Sequence, residues 1–157
     1  MDEKFLLAAK QELRQKGYKL TGPRLAIIDY LIRIKGHPGI QEIFEGIRNE
    51  EPGIGMATVY RTVDLLCELG ILRALTLRNS YLRYELNWPD NHHHHLVCKE
   101  CDRIIEFGSC NFQLIAREIE IVTCFKIQEH TIEAYGLCPL CSPGKVQVQA
   151  REHDNRI

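Results

Sequence analysis

Two cysteine pairs, Cys98-Lys-Glu-Cys101 and Cys138-Pro-Leu-Cys141, carry the strongest chemical signal in the chain. Two residues between thiolates let one cation bind both from a tight turn. Two such pairs make a closed, tetrahedral four-sulfur site for Zn2+. Four thiolates leave no open coordination position, so the zinc would be structural. The stretch 102–137 between the pairs is longer than in an ordinary zinc finger, so a strand-helix-strand unit must lie between the knuckles. The competing reading is four unrelated buried thiols, which two matched spacings disfavour.

Directly before the first pair runs His92-His93-His94-His95. On a strand, successive side chains point to opposite faces. His93 and His95 then share one face, His92 and His94 the other, and each pair can serve a different metal. The bland alternative is a solvated polar tract; an internal run that feeds into a cysteine knuckle is not an expression tag. Two histidines do not complete a site. His37, His130, Glu85 and Glu106 are the candidates for the remaining ligands.

A third signal is GIGMATVYRTVDLLCELGIL, Gly53 to Leu72. As a recognition helix it offers Thr58, Tyr60 and Arg61 to a major groove. An arginine takes a guanine edge bidentately, and an aromatic ring packs on a thymine methyl. Lys19 and Arg24, with Arg73, Arg78 and Arg83 further on, are placed to contact phosphates or a minor groove. The alternative puts Tyr60 half-buried in a core and Arg61 on a solvated face.

The elements that must position these residues follow from periodicity. Phe5, Leu6, Ala9 and Leu13 recur at helical spacing over about Lys4–Lys16, and Gly17 ends that helix. Thr21 as N-cap and Pro23 in the first turn open a second helix, which runs to Lys35-Gly36. Ile40, Ile43, Phe44 and Ile47 mark a third, stopped by Glu50-Glu51-Pro52-Gly53. Met56–Leu69 is a fourth, ended by Gly70. Two β-like runs, Ile71–Leu77 and Tyr81–Leu86, joined by Arg78-Asn79-Ser80, make a hairpin. Short helices followed by a hairpin form a winged helix-turn-helix. Beyond Trp88-Pro89-Asp90-Asn91, Arg103–Phe107 reads as a strand, Phe112–Val122 as a helix and Phe125–Tyr135 as a strand ending at Gly136. The expected boundaries are a DNA-binding domain over 1–86, a hinge over 87–91, a metal-binding domain over 92–142 and a disordered polar tail over 143–157.

Composition fits this division. The chain has 157 residues, 45% hydrophobic and 26% charged, in the range of globular proteins with a real core. Seven cysteines, an odd number, argue against a closed disulfide framework. The formal net charge is −1, but residues 1–84 hold 13 Lys+Arg against 10 Asp+Glu and residues 85–157 hold 7 against 11. A mildly basic front suits nucleic acid. Six of the seven histidines and six of the seven cysteines follow Asn91. With no basic-then-apolar leader and no membrane-length apolar run, a cytoplasmic protein without membrane contact is expected.

ATVYRTVDLL, HHHHLVCKECDRIIEF and HTIEAYGLCPLC, in this order and spacing, resemble the ferric uptake regulator family of metal-dependent bacterial repressors, from about Gln11 to Cys141. The resemblance implies an α+β chain: an N-terminal winged helix-turn-helix domain plus a C-terminal small α/β dimerisation domain. It implies a homodimer on double-stranded operator DNA with an AT-rich palindrome, and metal as corepressor. Cys98, Cys101, Cys138 and Cys141 match the structural zinc ligands. His37, Glu85, His93, His95 and Glu106 match the regulatory site, whose mixed nitrogen and oxygen donors suit Fe2+, or alternatively Mn2+ or Zn2+. His92, His94 and His130 match an auxiliary metal site.

Departures from the family pattern refine these expectations. A one-residue insertion before the histidine tract makes Asp90 the substitute for Glu85. The usual acid of the auxiliary site falls on Gln113, which should weaken that site. The hinge lacks the cysteine that zinc-sensing relatives often carry, and Glu106 stands where peroxide sensors favour aspartate; both favour an iron sensor over those two alternatives. Cys67, Cys110 and Cys124 fit no motif and read as small buried hydrophobes. The protein is not expected to be an enzyme. A metal-dependent enzyme would need a base or nucleophile beside the mixed site, and a zinc-stabilised interaction module would leave the DNA-binding pattern unexplained.

Overall fold

The computed structural model describes residues 2–76, 81–87, 92–108 and 110–142. The chain forms two compact units, Met1–Asn91 and His92–Ile157. Among the described residues, no helix is long and apolar enough to cross a membrane.

The first unit is built from α1 (Asp2–Gln15), α2 (Gly22–Ile34), α3 (Ile40–Glu50) and α4 (Met56–Glu68), followed by β1 (Leu72–Thr76) and β2 (Leu82–Leu86). Its core is aliphatic: Leu13, Ile27, Ile28, Ile43, Ile47, Val59, Val63 and Leu66 are all buried. Each helix contributes residues at three- and four-residue spacing, so one stripe per helix leaves water. The ends of α1 and α4 need a left-handed residue, and glycine supplies it at Gly17 (φ 80°) and Gly70 (φ 68°). Thr21 precedes α2 as expected, but its side chain makes no capping bond; its carbonyl accepts from the Leu25 amide instead. At α3 the cap is Glu42, which accepts the Gly39 amide at 2.9 Å.

β1 and β2 pair antiparallel from Leu72 opposite Leu86 to Thr76 opposite Leu82. The Tyr84 amide donates to the Pro38 carbonyl at 3.0 Å, which stitches this hairpin to the loop between α2 and α3. The hairpin tip over Arg78-Asn79-Ser80, the residues Trp88 to Asn91 with Asp90, and the tail 143–157 lie outside the described residues.

The second unit holds β3 (His94–Cys98), β4 (Ile104–Phe107), α5 (Phe112–Thr123) and β5 (Glu133–Gly136). The sheet order is β4-β3-β5, with β4 antiparallel and β5 parallel to β3. The strand expected over Phe125–Tyr135 is reduced to Glu133–Gly136. β3 is short and pairs with β5 only from His95–Glu133 to Cys98–Gly136. Upstream, the chain is held by α5 instead: Glu120 accepts the Ile127 amide at 2.9 Å and pairs with Lys126 at 3.2 Å. α5 buries no side chain. Ile115, Ile119 and Val122, at helical spacing along one side of α5, are exposed, as are Ile121 and the following Phe125, and apolar surface left uncovered in this way suits a partner.

Candidate metal centres and nucleic-acid interface

Strand register brings the two cysteine knuckles together. Cys98 ends β3, beside Gly136 at the end of β5, so the turns that follow both strands lie side by side. The Lys99 amide donates to the Gly136 carbonyl at 2.8 Å, and the Cys138 amide donates to Cys98 Sγ at 3.3 Å. Cys98, Cys101, Cys138 and Cys141 each offer a sulfur within 4.8 Å of the other three. The Cys101–Cys138 Sγ separation is 3.7 Å. Zn–S bonds of ~2.3 Å in a tetrahedron place sulfurs ~3.8 Å apart, so the cluster fits zinc. Amide hydrogen bonds, from Cys138 first and then Cys101 and Glu100, pull the Cys98 thiol down to about 6. Sulfur hydrogen bonds to Cys138 and Cys101 push Cys141 up to about 12. Cys98 is therefore the readiest thiolate.

The histidine tract splits by face, as strand alternation requires. The His92 and His94 rings stand edge to face at 4.5 Å between centroids, and those of His93 and His95 at 5.0 Å. On the first face, His130 joins His92 with an Nε2–Nε2 separation of 3.0 Å. On the second, His95 lies opposite Glu106 across the β3–β4 ladder. His94 is buried; burial first, then the neighbouring His92 and His130, hold its pKa below the ordinary value, which keeps the ring in its neutral form.

Sequence reasoning missed one member of this unit. Cys110 is not a buried hydrophobe: its Sγ lies 3.2 Å from His130 Nε2 and 3.8 Å from His92 Nε2. It belongs to no cysteine pair, so no spacing rule could find it; only the turn between β4 and α5 brings it to the histidines. Cys124 is also not buried but exposed, in a left-handed conformation just past α5. Cys67 packs against the edge of the first unit's core.

In the first unit, His37 follows α2 and Glu85 sits on β2. Their side chains meet at 3.2 Å between Nε2 and Oε2, and both are largely buried, at 9% and 5% exposure. Arg73 approaches the other Glu85 oxygen at 3.5 Å. This pair supplies one imidazole and one carboxylate from elements far apart in the chain.

The α4 helix turns Val59, Val63 and Leu66 inward and leaves Thr58, Tyr60, Arg61 and Asp64 exposed. Thr58, Tyr60 and Arg61 are therefore available to a groove. Lys19 is exposed in the loop before α2. Arg24 is half-buried; it donates to the Lys19 carbonyl and lies 5.9 Å from the Tyr18 ring, so it braces the loop that carries Lys19. Arg73 and Arg83, which the sequence offers as phosphate contacts, have ion-pair partners: Arg73 pairs with Glu85, and Arg83 with Glu42 at 2.6 Å.

The model of the ferric uptake regulator family matches residues 15–135. The peroxide-responsive repressor PerR of Staphylococcus aureus (strain USA300) is 33% identical over 129 residues, covering 82% of this chain and 86% of that protein. The ferric uptake regulator Fur of Helicobacter pylori, described as having three functional metal binding sites, superposes with a TM-score of 0.79 at 25% identity, covering 90% of this chain and 93% of that one. The ferric uptake regulator from Francisella tularensis, solved with iron, superposes with a TM-score of 0.73 at 30% identity, covering 80% and 95%.

Proposed function

The chain belongs to the ferric uptake regulator family of metal-responsive transcriptional regulators, and we propose that it is a homodimeric repressor with Fe2+ as corepressor and an AT-rich palindromic operator. One observation carries this reading. A mixed imidazole and carboxylate set is divided between two compact units, with His37 and Glu85 on one and His93, His95 and Glu106 on the other.

Neither part has enough donors for a six-coordinate cation of the iron or manganese type. When bound, the cation supplies the link between two ligand-bearing bodies. His37 and Glu85 present the DNA-binding side, and Asp90 is the substitute for Glu85. His93, His95 and Glu106 present the other side, which the Cys98, Cys101, Cys138 and Cys141 knuckle with Zn2+ holds in register. Joining the two sets restrains the unit that carries α4, and with it the spacing of the two recognition helices in the dimer. We assign the apolar face of α5 to that dimer. His92, His94 and His130 are kept as the auxiliary set. Thr58, Tyr60 and Arg61 read bases, while Lys19, steadied by Arg24, contacts the backbone.

The test is an anaerobic titration of operator binding by fluorescence anisotropy with Fe2+, Mn2+ and Zn2+. Fe2+ should tighten binding most. Equal affinity in chelator and in Fe2+ would sink the reading. The 33% identity to a peroxide-responsive repressor favours a second reading, peroxide sensing. Peroxide followed by fresh Fe2+ separates the two: recovered DNA binding supports the iron sensor, permanent loss the peroxide sensor.

A further inference from the structure

We propose that Cys110 is a thiolate ligand and, with His92, His94 and His130, builds a three-nitrogen, one-sulfur site for a zinc-like cation. The four residues come from three stretches of one compact unit. His92 and His94 lie before and at the start of β3, Cys110 between β4 and α5, and His130 ahead of β5. Each offers a ligand atom within 4.8 Å of the other three.

The separations are close to those of ligands gathered round one cation. Tetrahedral zinc with Zn–N of ~2.0–2.1 Å and Zn–S of ~2.3 Å sets nitrogens ~3.3 Å apart and nitrogen and sulfur ~3.5 Å apart. Here His92 and His130 nitrogens are 3.0 Å apart, and Cys110 Sγ stands 3.2 Å and 3.8 Å from them. Phe112 stacks on His130 at 3.9 Å with 10° between planes, which fixes the ring's orientation.

His94 is the second, independent observation. It is 0% exposed, and its Nε2 has no hydrogen-bond partner among the described residues. A buried polar atom without a partner is destabilising unless something takes it up. The Ile132 amide donates to His94 Nδ1 at 3.2 Å, which leaves the ring proton on Nε2. To ligate through Nε2, the ring moves that proton to Nδ1 and gives up the Ile132 bond. A pocket of about 310 Å³ lined by Cys110, Phe112, Gln113 and His130 gives the cation a way in.

The sulfur decides the class of metal. Gln113, which stands where the resemblance puts an acid, carries no charge, but a Cys110 thiolate restores one negative ligand. A thiolate with three imidazoles favours zinc, cobalt or cuprous ions over manganese or magnesium, which prefer oxygen. On this proposal the Cys110 sulfur offsets the loss of the acid at Gln113 and moves the preference of the auxiliary site toward sulfur-binding metals. This inference is independent of iron as corepressor.

The experiment starts from protein whose four-cysteine knuckle is zinc-loaded and adds Co2+. Wild type should show a new, saturable thiolate-to-cobalt charge-transfer band. Cys110→Ala should lose that band and bind the same cation at least tenfold more weakly. Mapped iodoacetamide labelling gives a second readout: one equivalent of Zn2+ should protect Cys110 and leave exposed Cys124 reactive. Circular dichroism and retained knuckle zinc establish that the variant is folded. If wild type shows no band, or Cys110 is alkylated equally with and without Zn2+, the site does not exist as proposed. Either result leaves Fe2+-dependent operator binding, measured on the same samples, as the separate test of the corepressor reading.

Discussion

Arg61 leaves α4 two positions after buried Val59, so its guanidinium stands on the face that turns away from the core. That position suits a bidentate contact with a guanine edge. Arg61→Ala should cost about 1–3 kcal/mol on the operator and relax base preference, measured by anisotropy on operator and scrambled duplexes. Lys19→Ala should weaken both duplexes alike and lower the salt dependence, because a phosphate contact carries no sequence information. Equal losses on both duplexes for Arg61→Ala would assign Arg61 to the backbone. Arg83 should matter less for DNA than its charge implies, because Glu42 already holds it and α3's first turn depends on that carboxylate.

Among the elements, β3 has the most depending on it. Five residues carry His94 and His95 at one end and Cys98 at the other, and both neighbouring strands pair with it. Cys98→Ser or Cys138→Ser should remove one zinc per chain, measured by metal analysis, and lower the melting temperature of the second unit. Structural zinc binding is folding free energy. A variant that kept its zinc and its melting curve would overturn the knuckle assignment. The helices of the first unit were legible from spacing alone, because apolar positions at 3.6-residue period have one solution against a core. The knuckles were legible for the same reason, since Cys-x-x-Cys is local. The Phe125–Ile132 stretch was not, because its apolar and β-branched residues look like a strand, while Glu120 in the last turn of α5 takes the Ile127 amide. Nor was Cys110, whose partners lie across two turns of chain.

At the scale of the whole molecule, sensing is a coupling free energy, typically about 1–3 kcal/mol between two ligands. His37→Ala and His93→Ala should leave fold, knuckle zinc and dimer intact, by circular dichroism, metal analysis and sedimentation. Metal should then tighten operator binding little or not at all. If either variant responds to Fe2+ as wild type does, its histidine lies outside the coupling. By reciprocity, operator DNA should raise metal affinity by the same factor that metal raises DNA affinity. One feature of the first unit bears on how fast such a response can end. His37 and Glu85 are 48 positions apart in sequence and 3.2 Å apart in space, and the Tyr84–Pro38 hydrogen bond ties their two segments together. On the proposed reading, in which both ligate the corepressor, they are a chelating arm already closed: when one donor lets go, the other keeps the ion within reach for recapture. Pre-organisation of this kind slows departure more than it speeds arrival. The time the chain needs to register a fall in metal would therefore be set in part by the hydrogen bond between Tyr84 and Pro38, neither of them a ligand.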